Sequence, residues 1–509
     1  MDVLGSLAFG FSVALTPFNL SMALIGCLIG TVVGALPGLG PTNGVAIMIP
    51  VAFALGLPPS SALILLSALY YGTMYGGRIS SILLNIPGDE PAVMTTLDGY
   101  PMAQQGKAAT ALALSGVASF VGATLATIGL TLFAPLLALV AIHFGPAEYF
   151  ALFVLAFAML SGIATRNPMK ALIAALIGLM LATIGLDPAT GIPRFTFGAY
   201  KLYEGLDFII ALVGLFAVSE FLFFLEGHAT MHYAGTALGR MRISMKDMLF
   251  SMGAMLRGSG IGFISGVLPG AGASLGSFVA YTVEKRISNR DDTFGKGDPR
   301  GVAAPEAGNN AAAGGALIPM LTLGVPGSGT TAVLLALLIS LNITPGPLLF
   351  QQHPDVVWGL IAALYVCNVM LLVLNLPLVG LFARMLAVPI WILMPGVVMI
   401  AYVGIYSIHH SIFDLLLITA FGVLGYVLRK LDIPLVPVVL GLLLGGIMET
   451  NLRRALSISN GDWSILISSP LTWVLWTLVV AMLALSVFFE VRHARQQRER
   501  AEAADAKAS

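Results

Sequence analysis

Two similar stretches, GALPGLGPTN at residues 34–43 and GVLPGAGASL at residues 266–275, are the most informative part of this sequence about its fold. In each stretch, a proline flanked by glycines interrupts an apolar run. Proline removes a helical hydrogen-bond donor and clashes with the preceding turn, whereas glycine adopts backbone conformations that other residues avoid. We therefore predict that a helix ends at each stretch and leaves peptide groups without helical partners.

The composition around these stretches is that of a membrane protein. Of the 509 residues, 58% are hydrophobic and 10% are charged, and the mean hydropathy is +0.93. Soluble domains carry roughly 25% charged residues, and disordered chains are still more polar. A membrane-spanning helix takes about 20 apolar residues, so the chain has room for about a dozen. The composition predicts an all-α polytopic membrane protein and excludes a soluble enzyme.

The two stretches belong to an internal repeat. Glycines at positions 26, 30 and 44 recur 232 residues later, as the stretches themselves do. Further along, Ile86-Pro87-Gly88 matches Val325-Pro326-Gly327 at an offset of 239 residues. Broken backbone is tolerated in a membrane only where protein or a water-filled cavity covers it. Each of these Pro-Gly pairs is therefore predicted to form the tip of a re-entrant hairpin.

Positive charge differs between matching loops of the two halves. The loop at residues 284–300 contains five Lys or Arg residues, whereas its counterpart at residues 56–60 contains none. Because Lys and Arg favour the cytoplasmic side, matching loops are expected to face opposite sides of the membrane. The predicted fold is two inverted-topology repeats with broken helices and re-entrant hairpins. The predicted segments are a first membrane repeat (1–227), a cytoplasmic connecting loop (228–247), a second membrane repeat (248–455), a final transmembrane segment (456–490) and a cytoplasmic charged tail (491–509).

The breaks are of the kind that form binding sites in transporters. Half-helix N-termini bind anions and unwound carbonyls bind cations, although a kink that only permits close helix packing is the alternative. Arg78, inside an apolar run, is predicted to pair with a substrate carboxylate; snorkelling to the interface or pairing with Asp89 are its alternatives. The predicted substrate-binding residues are Pro37, Gly38, Gly40, Thr42, Asn43, Arg78, Pro269, Gly270, Gly272, Ser274, Pro326, Gly327, Ser328 and Thr330.

Polar residues in an Ala/Gly-rich segment suggest a cation site. Asn309 and Asn310 follow Glu306 by three and four residues, so a helix places them on its face. Polar side chains inside a membrane are costly unless they are used. Glu306 itself, beside a proline, has the alternative role of complementing a helix N-terminus. The predicted cation-binding residues are Asn43, Asn309, Asn310 and Thr331.

Other chemistries lack their motifs. The seven histidines and two cysteines show no metal-ligand spacing, so no transition-metal site is expected. The chain has no Walker-type phosphate loop, and the Gly-x-Ser-x-Gly at residues 272–276 is not expected to have the strand–turn–helix context of a hydrolase nucleophile. We therefore expect no enzymatic activity and no cofactor, and the zero net charge points to no nucleic-acid partner.

The motifs resemble those of one transporter family. Residues 34–40, 71–88, 262–272 and above all APEAGNNAAAGGALIPMLTLGVPGSGTT at 304–331 resemble the large membrane subunit of the tripartite tricarboxylate transporter family. The resemblance covers nearly the whole chain. It implies a multi-pass protein of the bacterial inner membrane that transports carboxylates, driven by a sodium or proton gradient. It also implies two partners, a small four-helix membrane subunit and a periplasmic solute-binding protein that delivers substrate.

The expected function is therefore secondary active import of citrate, another tricarboxylate or a smaller organic acid. An ion channel is one alternative, because re-entrant loops also form selectivity filters. A carboxylate exchanger that works without a binding protein is another. The sequence leaves the identity of the carboxylate and the choice between sodium and proton open.

Overall fold

The computed structural model describes residues 2–36, 38–163, 168–226, 243–270, 272–289, 292–385 and 390–484. Pro37, most of the predicted connecting loop and the predicted tail lie outside these residues. The helices are α1 Val3–Ala14, α2 Pro17–Ala35, α3 Gly40–Ala54, α4 Pro59–Leu84, α5 Val93–Met102, α6 Ala108–Ala141, α7 Pro146–Ile163, α8 Pro168–Ala182, α9 Phe208–Val213, α10 Ser219–Glu226, α11 Met245–Val267, α12 Gly272–Ser288, α13 Pro299–Gly315, α14 Leu317–Leu323, α15 Gly329–Ser340, α16 Leu349–Gln352, α17 Pro354–Met385, α18 Ile390–His409, α19 Ile412–Lys430, α20 Leu435–Ile458 and α21 Pro470–Ala484. The strands β1 Gly185–Leu186 and β2 Pro193–Arg194 pair antiparallel.

The helices confirm an all-α polytopic membrane protein. Within the described part of the chain, six helical segments are long and apolar enough to cross a membrane. Two of them are composite, because α5 leads into α6 across a kink at Gly106, where φ is 78°, and α9 runs into α10 through a wide helical turn at residues 214–218. The six are Pro17–Ala35, Val93–Ala141, Phe208–Glu226, Pro354–Arg384, Ile412–Lys430 and Leu435–Ile458.

The chain forms two compact units. Unit 1 consists of Met1–Ile142 and Ile209–Tyr426, and unit 2 consists of His143–Phe208 and Val427–Ser509. This division differs from that of the sequence repeats, because each repeat contributes residues to both units. The breaks and the tips of both repeats all lie in unit 1.

The internal repeat is visible in unit 1 as a repeated helix pair. α2 packs against α4, and α11 packs against α13. A Cβ on Gly30 of α2 would overlap the carbonyl oxygen of Leu69, and a Cβ on Gly262 of α11 would overlap that of Gly308. The two glycines are 232 residues apart and their partners are 239 residues apart, as in the sequence offsets. The predicted repeat is therefore confirmed, while the side of the membrane that each half faces stays a prediction.

Both predicted helix breaks are present. α2 ends at Ala35 and α3 begins at Gly40, whereas α11 ends at Val267 and α12 begins at Gly272. Gly40 and Gly272 have φ angles of 60° and 61°, in the left-handed region that favours glycine. The breaks thus form where the Pro-Gly pattern predicts them, and each leaves the N-terminus of a new helix inside unit 1.

Unit 2 contains α7, α8, α20, α21 and the small hairpin of β1 and β2. Ion pairs stabilise this hairpin: the Asp187 carboxylate lies 3.4 Å from the guanidinium of Arg194 and 2.8 Å from that of Arg453. The backbone N–H groups of Thr190 and Ala189 donate to the same carboxylate and, with Arg453, lower the pKa of Asp187 to about 2. Asp187 is therefore ionised throughout the physiological pH range.

An ion pair joins α11 to α12. The Arg257 Nε and Nη2 atoms donate to the two carboxylate oxygens of Glu284, each at 2.8 Å. The Glu284 side chain is 1% exposed and that of Arg257 is 43% exposed. We expect Arg257→Ala to lower the free energy of unfolding by about 2–3 kcal/mol, because it leaves the buried Glu284 carboxylate without its positively charged partner. The loss is limited because Arg257 is partly exposed, so water can approach the carboxylate when the arginine is removed. Thermal unfolding of the detergent-solubilised protein measures this effect.

The control for this prediction is an exposed pair. Lys296 and Asp292 are 2.6 Å apart, but their side chains are 66% and 81% exposed. Lys296→Ala should therefore cost less than about 1 kcal/mol. Equal losses of stability in the two variants would contradict the assignment of Arg257 as the partner of a desolvated charge.

Candidate functional site

The two breaks and the two tips form the candidate site. We define the first break as residues 38–43, the first tip as 87–92, the second break as 270 and 272–274, and the second tip as 326–331. Within the second repeat, the backbone N–H of Gly270 donates to the carbonyl oxygen of Gly327 at 3.1 Å. A backbone hydrogen bond therefore fixes the second break against its own tip.

The breaks also contact the tips of the opposite repeat. The hydroxyl oxygens of Thr42 and Thr330 are 3.0 Å apart, which joins the first break to the second tip. Ser274 donates to a carboxylate oxygen of Glu90 at 3.2 Å, which joins the second break to the first tip. Thr42 and Ser274 are equivalent positions of the repeat. Reciprocal contacts of this kind are what a local two-fold relation between the halves produces.

Four helices begin at this site. α3 starts at Gly40 and α12 at Gly272. α15 starts at Gly329, within the second tip, and α5 starts at Val93, just after the first tip. Each helix N-terminus presents unpaired N–H groups and the positive end of a helix dipole. Helix N-termini from both halves therefore lie at the candidate site, and binding by their peptide groups stays a prediction.

The second tip is closed by its own hydroxyl groups. The Ser328 hydroxyl accepts from the N–H of Thr331 at 3.2 Å, and the Thr331 hydroxyl accepts from the N–H of Ser328 at 2.8 Å. This capping box uses one lone pair of each hydroxyl oxygen and orients the first turn of α15. Thr331 is fully buried, whereas Thr330 points to the first break. Binding by Ser328, Thr330 and Thr331 stays a prediction.

The first tip has the same cap made from a different residue. Asp89 stands at the position of Ser328, and its Oδ1 accepts from the N–H of Ala92 at 3.0 Å. Asp89 is 8% exposed, and its Oδ2 has no hydrogen-bond partner among the described residues. Glu90 is exposed and accepts from Ser274. The sequence leaves open that both acids belong to a solvated tip, but the structure places only Glu90 in that environment.

The predicted asparagines occupy different environments. Asn43 donates to the carbonyl oxygen of Gly38 at 3.5 Å, across the first break. Asn310 donates to the carbonyl oxygen of Glu306 at 3.0 Å, within its own helix. Asn309 is 1% exposed, and neither polar atom of its side chain has a partner among the described residues. Of the three, Asn309 retains the most unused binding capacity.

Glu306 and Arg78 lie in the interior rather than at helix ends. α13 begins at Pro299, so Glu306 is in the middle of this helix, and the helix N-terminus alternative is wrong. Its carboxylate accepts from Thr95 at 2.5 Å and from Ser119 at 3.0 Å. Arg78 is 1% exposed, so it does not snorkel. It approaches Ser115 at 3.4 Å and attracts Glu306.

These contacts also bear on the alternative that pairs Arg78 with Asp89. Among the described residues, Asp89 forms no ion pair with Arg78, whose guanidinium instead donates to the Ser115 hydroxyl and lies 5.2 Å from the ring centre of Tyr75. A role for Arg78 in binding a substrate carboxylate stays a prediction. The structure places Arg78 in the interior of unit 1, on α4.

Asp98 is a buried acid that the sequence reasoning missed. Its Oδ1 accepts from the N–H groups of Gly295, Gly297 and Asp298 at 2.8–2.9 Å. Its Oδ2 accepts from the hydroxyl of Tyr281 at 3.0 Å. Asp98 therefore ties α5, which follows the first tip, to the loop that leads into α13. The available signal was a lone carboxylate in α5, which contains no other charged residue.

Comparison with known proteins identifies the family. The model of the tripartite tricarboxylate transporter TctA family matches residues 20–440. Over 497 residues, the chain is 40% identical to an Agrobacterium vitis protein named "Uncharacterized 52.8 kDa protein in TAR-I ttuC' 3'region", covering 98% of this chain and 99% of that protein. A second protein of that organism, "Uncharacterized protein in TAR-II ttuC' 3'region", is 41% identical over 236 residues, or 46% of this chain and 98% of its own length. No solved structure matches the chain. With its repeated breaks and tips, the chain belongs to the tripartite tricarboxylate transporter TctA family.

Proposed function

We propose that this protein is the large membrane subunit of a binding-protein-dependent system that imports a tricarboxylate or related organic acid. A sodium or proton gradient drives the import. The observation that carries the proposal is the reciprocal contact of each break with the opposite tip, through Thr42 with Thr330 and Ser274 with Glu90. Two-fold-related broken helices that meet at one place are the arrangement in which transporters bind substrates and ions.

The chemistry of the second tip suits a carboxylate. α15 begins at Gly329 and carries no acidic residue in its first turn. Its free N–H groups and dipole favour an anion. The hydroxyl groups of Thr42 and Thr330 face each other beside this N-terminus and can both donate to a carboxylate oxygen. We therefore propose that the substrate binds between the first break and the second tip.

The proposed setting includes two further proteins. A small four-helix membrane subunit and a periplasmic solute-binding protein that delivers substrate complete the system, and the bacterial inner membrane is its location, with the C-terminus cytoplasmic. Membership of a family named for a tripartite transporter supports the two partners. The long apolar helices support the membrane location.

Uptake by reconstituted protein tests this function. Proteoliposomes containing the full chain and the small subunit, with binding protein outside, should accumulate radiolabelled citrate above its external concentration when a sodium or proton gradient points inward. Uptake should saturate with citrate and stop when an ionophore removes the gradient. Protein-free liposomes and preparations without binding protein are the controls.

The same experiment separates the alternatives. A current that rises with voltage and does not saturate would indicate an ion channel and contradict the proposal. Citrate entry that needs internal citrate but neither gradient nor binding protein would indicate an exchanger, and would contradict the proposed coupling and the proposed partner.

A further inference from the structure

The two tips have diverged in charge while keeping the same backbone. Asp89 and Ser328 both cap the next helical turn by accepting from the N–H three residues later, at 3.0 and 3.2 Å. A Cβ on Gly40 would touch Asp89, and a Cβ on the equivalent Gly272 would touch Ser328. The cap needs one oxygen. Serine has one side-chain oxygen, but aspartate has two, so the first tip carries a second oxygen that the cap does not use.

That second oxygen is buried without a partner. Asp89 is 8% exposed, and among the described residues its Oδ2 accepts no hydrogen bond and its carboxylate forms no ion pair. The titratable groups that interact electrostatically with the Asp89 carboxylate are Glu90, Glu306 and the Tyr70 phenol. None of them is a cation, and the two acids add negative charge. Glu306 is already bonded to two hydroxyls and attracted to Arg78. A buried, unpaired carboxylate is expensive, and inside a membrane protein it marks a functional site.

We propose that Asp89 is a ligand of the coupling cation, either sodium or a proton, so that the first tip holds the cation and the second tip holds the carboxylate. This inference rests on the proposed function. Asp89 Oδ2 binds the cation directly, while Oδ1 keeps its bond to the N–H of Ala92. The bound cation neutralises the tip next to the substrate position. It therefore raises the affinity for an anionic substrate, and the substrate raises that for the cation by the same factor.

Thermal unfolding of the purified full chain in detergent tests this site without substrate. Replacing choline chloride by sodium chloride at constant ionic strength should raise the Tm of the wild type by about 2–3 °C once sodium reaches about 100 times its Kd. Asp89→Ser should remove this rise and still fold, because Ser328 forms the same cap in the second repeat. Glu90→Gln is the matched control on the same tip and should keep the rise.

The proton is tested in the same preparation. If the wild type does not respond to sodium, its Tm in choline chloride should fall as the pH rises from about 5 to about 8, because the buried carboxyl holds a proton that the unfolded chain has already released. Asp89→Ser should then remove most of this dependence, while Glu90→Gln should retain it. Either pattern supports the assignment and identifies the cation.

An Asp89→Ser variant that responds to both sodium and pH as the wild type does would overturn the assignment. Loss of the response in Glu90→Gln but not in Asp89→Ser would also overturn it, by moving the site to the exposed acid. These Tm measurements do not depend on transport, so they test the cation site independently of the proposed function. If the response depends on Asp89 but the protein never accumulates citrate, the cation site is supported and the import function is contradicted.

Discussion

Ser328→Asp is expected to lower the initial rate of citrate uptake by at least about tenfold. It places a negative charge where the substrate carboxylate is proposed to bind. Two unit charges about 4 Å apart repel by about 4 kcal/mol at an effective dielectric constant of about 20, and a tenfold loss corresponds to about 1.4 kcal/mol. The expected repulsion is larger than the energy of a tenfold loss, so the rate should fall at least tenfold even when salt weakens the repulsion.

The fold should tolerate this change. The first tip already carries Asp89 at the equivalent position, where it accepts from the N–H three residues later at 3.0 Å. Asparagine caps helices as well as aspartate does, so Ser328→Asn is the neutral control and should keep most of the uptake. Initial rates in proteoliposomes, with Tm as the measure of folding, compare the two variants. Normal uptake by Ser328→Asp would contradict the proposed position of the substrate.

The second large effect is expected on stability. Gly262→Ala should lower the Tm of the detergent-solubilised protein by several degrees or prevent folding, because the added Cβ would overlap the carbonyl oxygen of Gly308 in α13. Relief requires α11 and α13 to separate along their whole contact, and overpacking of this kind costs about 1–3 kcal/mol or more. Separation would also displace the second break from its tip, since Gly270 donates to Gly327.

Gly260→Ala is a control in the same helix. Apart from its chain neighbours and the nearby backbone of its own helix, no atom of the described residues lies within 4 Å of a Cβ built on Gly260. Alanine is favoured over glycine inside a helix by about 1 kcal/mol, so this variant should keep or slightly raise the Tm. Similar losses of Tm in the two variants would show that α11 needs its glycines for flexibility rather than for close packing.

The repeat explains why one half of the site could change while the other did not. The backbone of each tip is set by its proline, its glycine and its cap, and Asp89 and Ser328 satisfy the cap equally. The rest of the side chain at positions 89 and 328, which takes no part in the cap, can therefore differ between the two tips without destabilising the fold. A carboxylate there attracts cations, whereas a hydroxyl group leaves the helix N-terminus available to anions.

Some features were predictable because their causes are local. Proline and glycine restrict or free their own φ and ψ angles wherever they occur. The breaks that precede Gly40 and Gly272, and the matching offsets of the two halves, were therefore accessible from the sequence. The all-α membrane fold was accessible for the same kind of reason, because a spanning helix needs only a sufficient run of apolar residues.

Only the tertiary structure decided which of these segments meet and which polar groups lose water. Thr42 and Thr330 are 288 residues apart, and their contact depends on the packing of helices from both repeats. The same packing buries Asp89 but leaves Glu90 exposed, although the two are adjacent in sequence. It also surrounds Glu306 with hydroxyl groups from α5 and α6. Burial is the sum of many long-range contacts, so no short pattern around a residue encodes it.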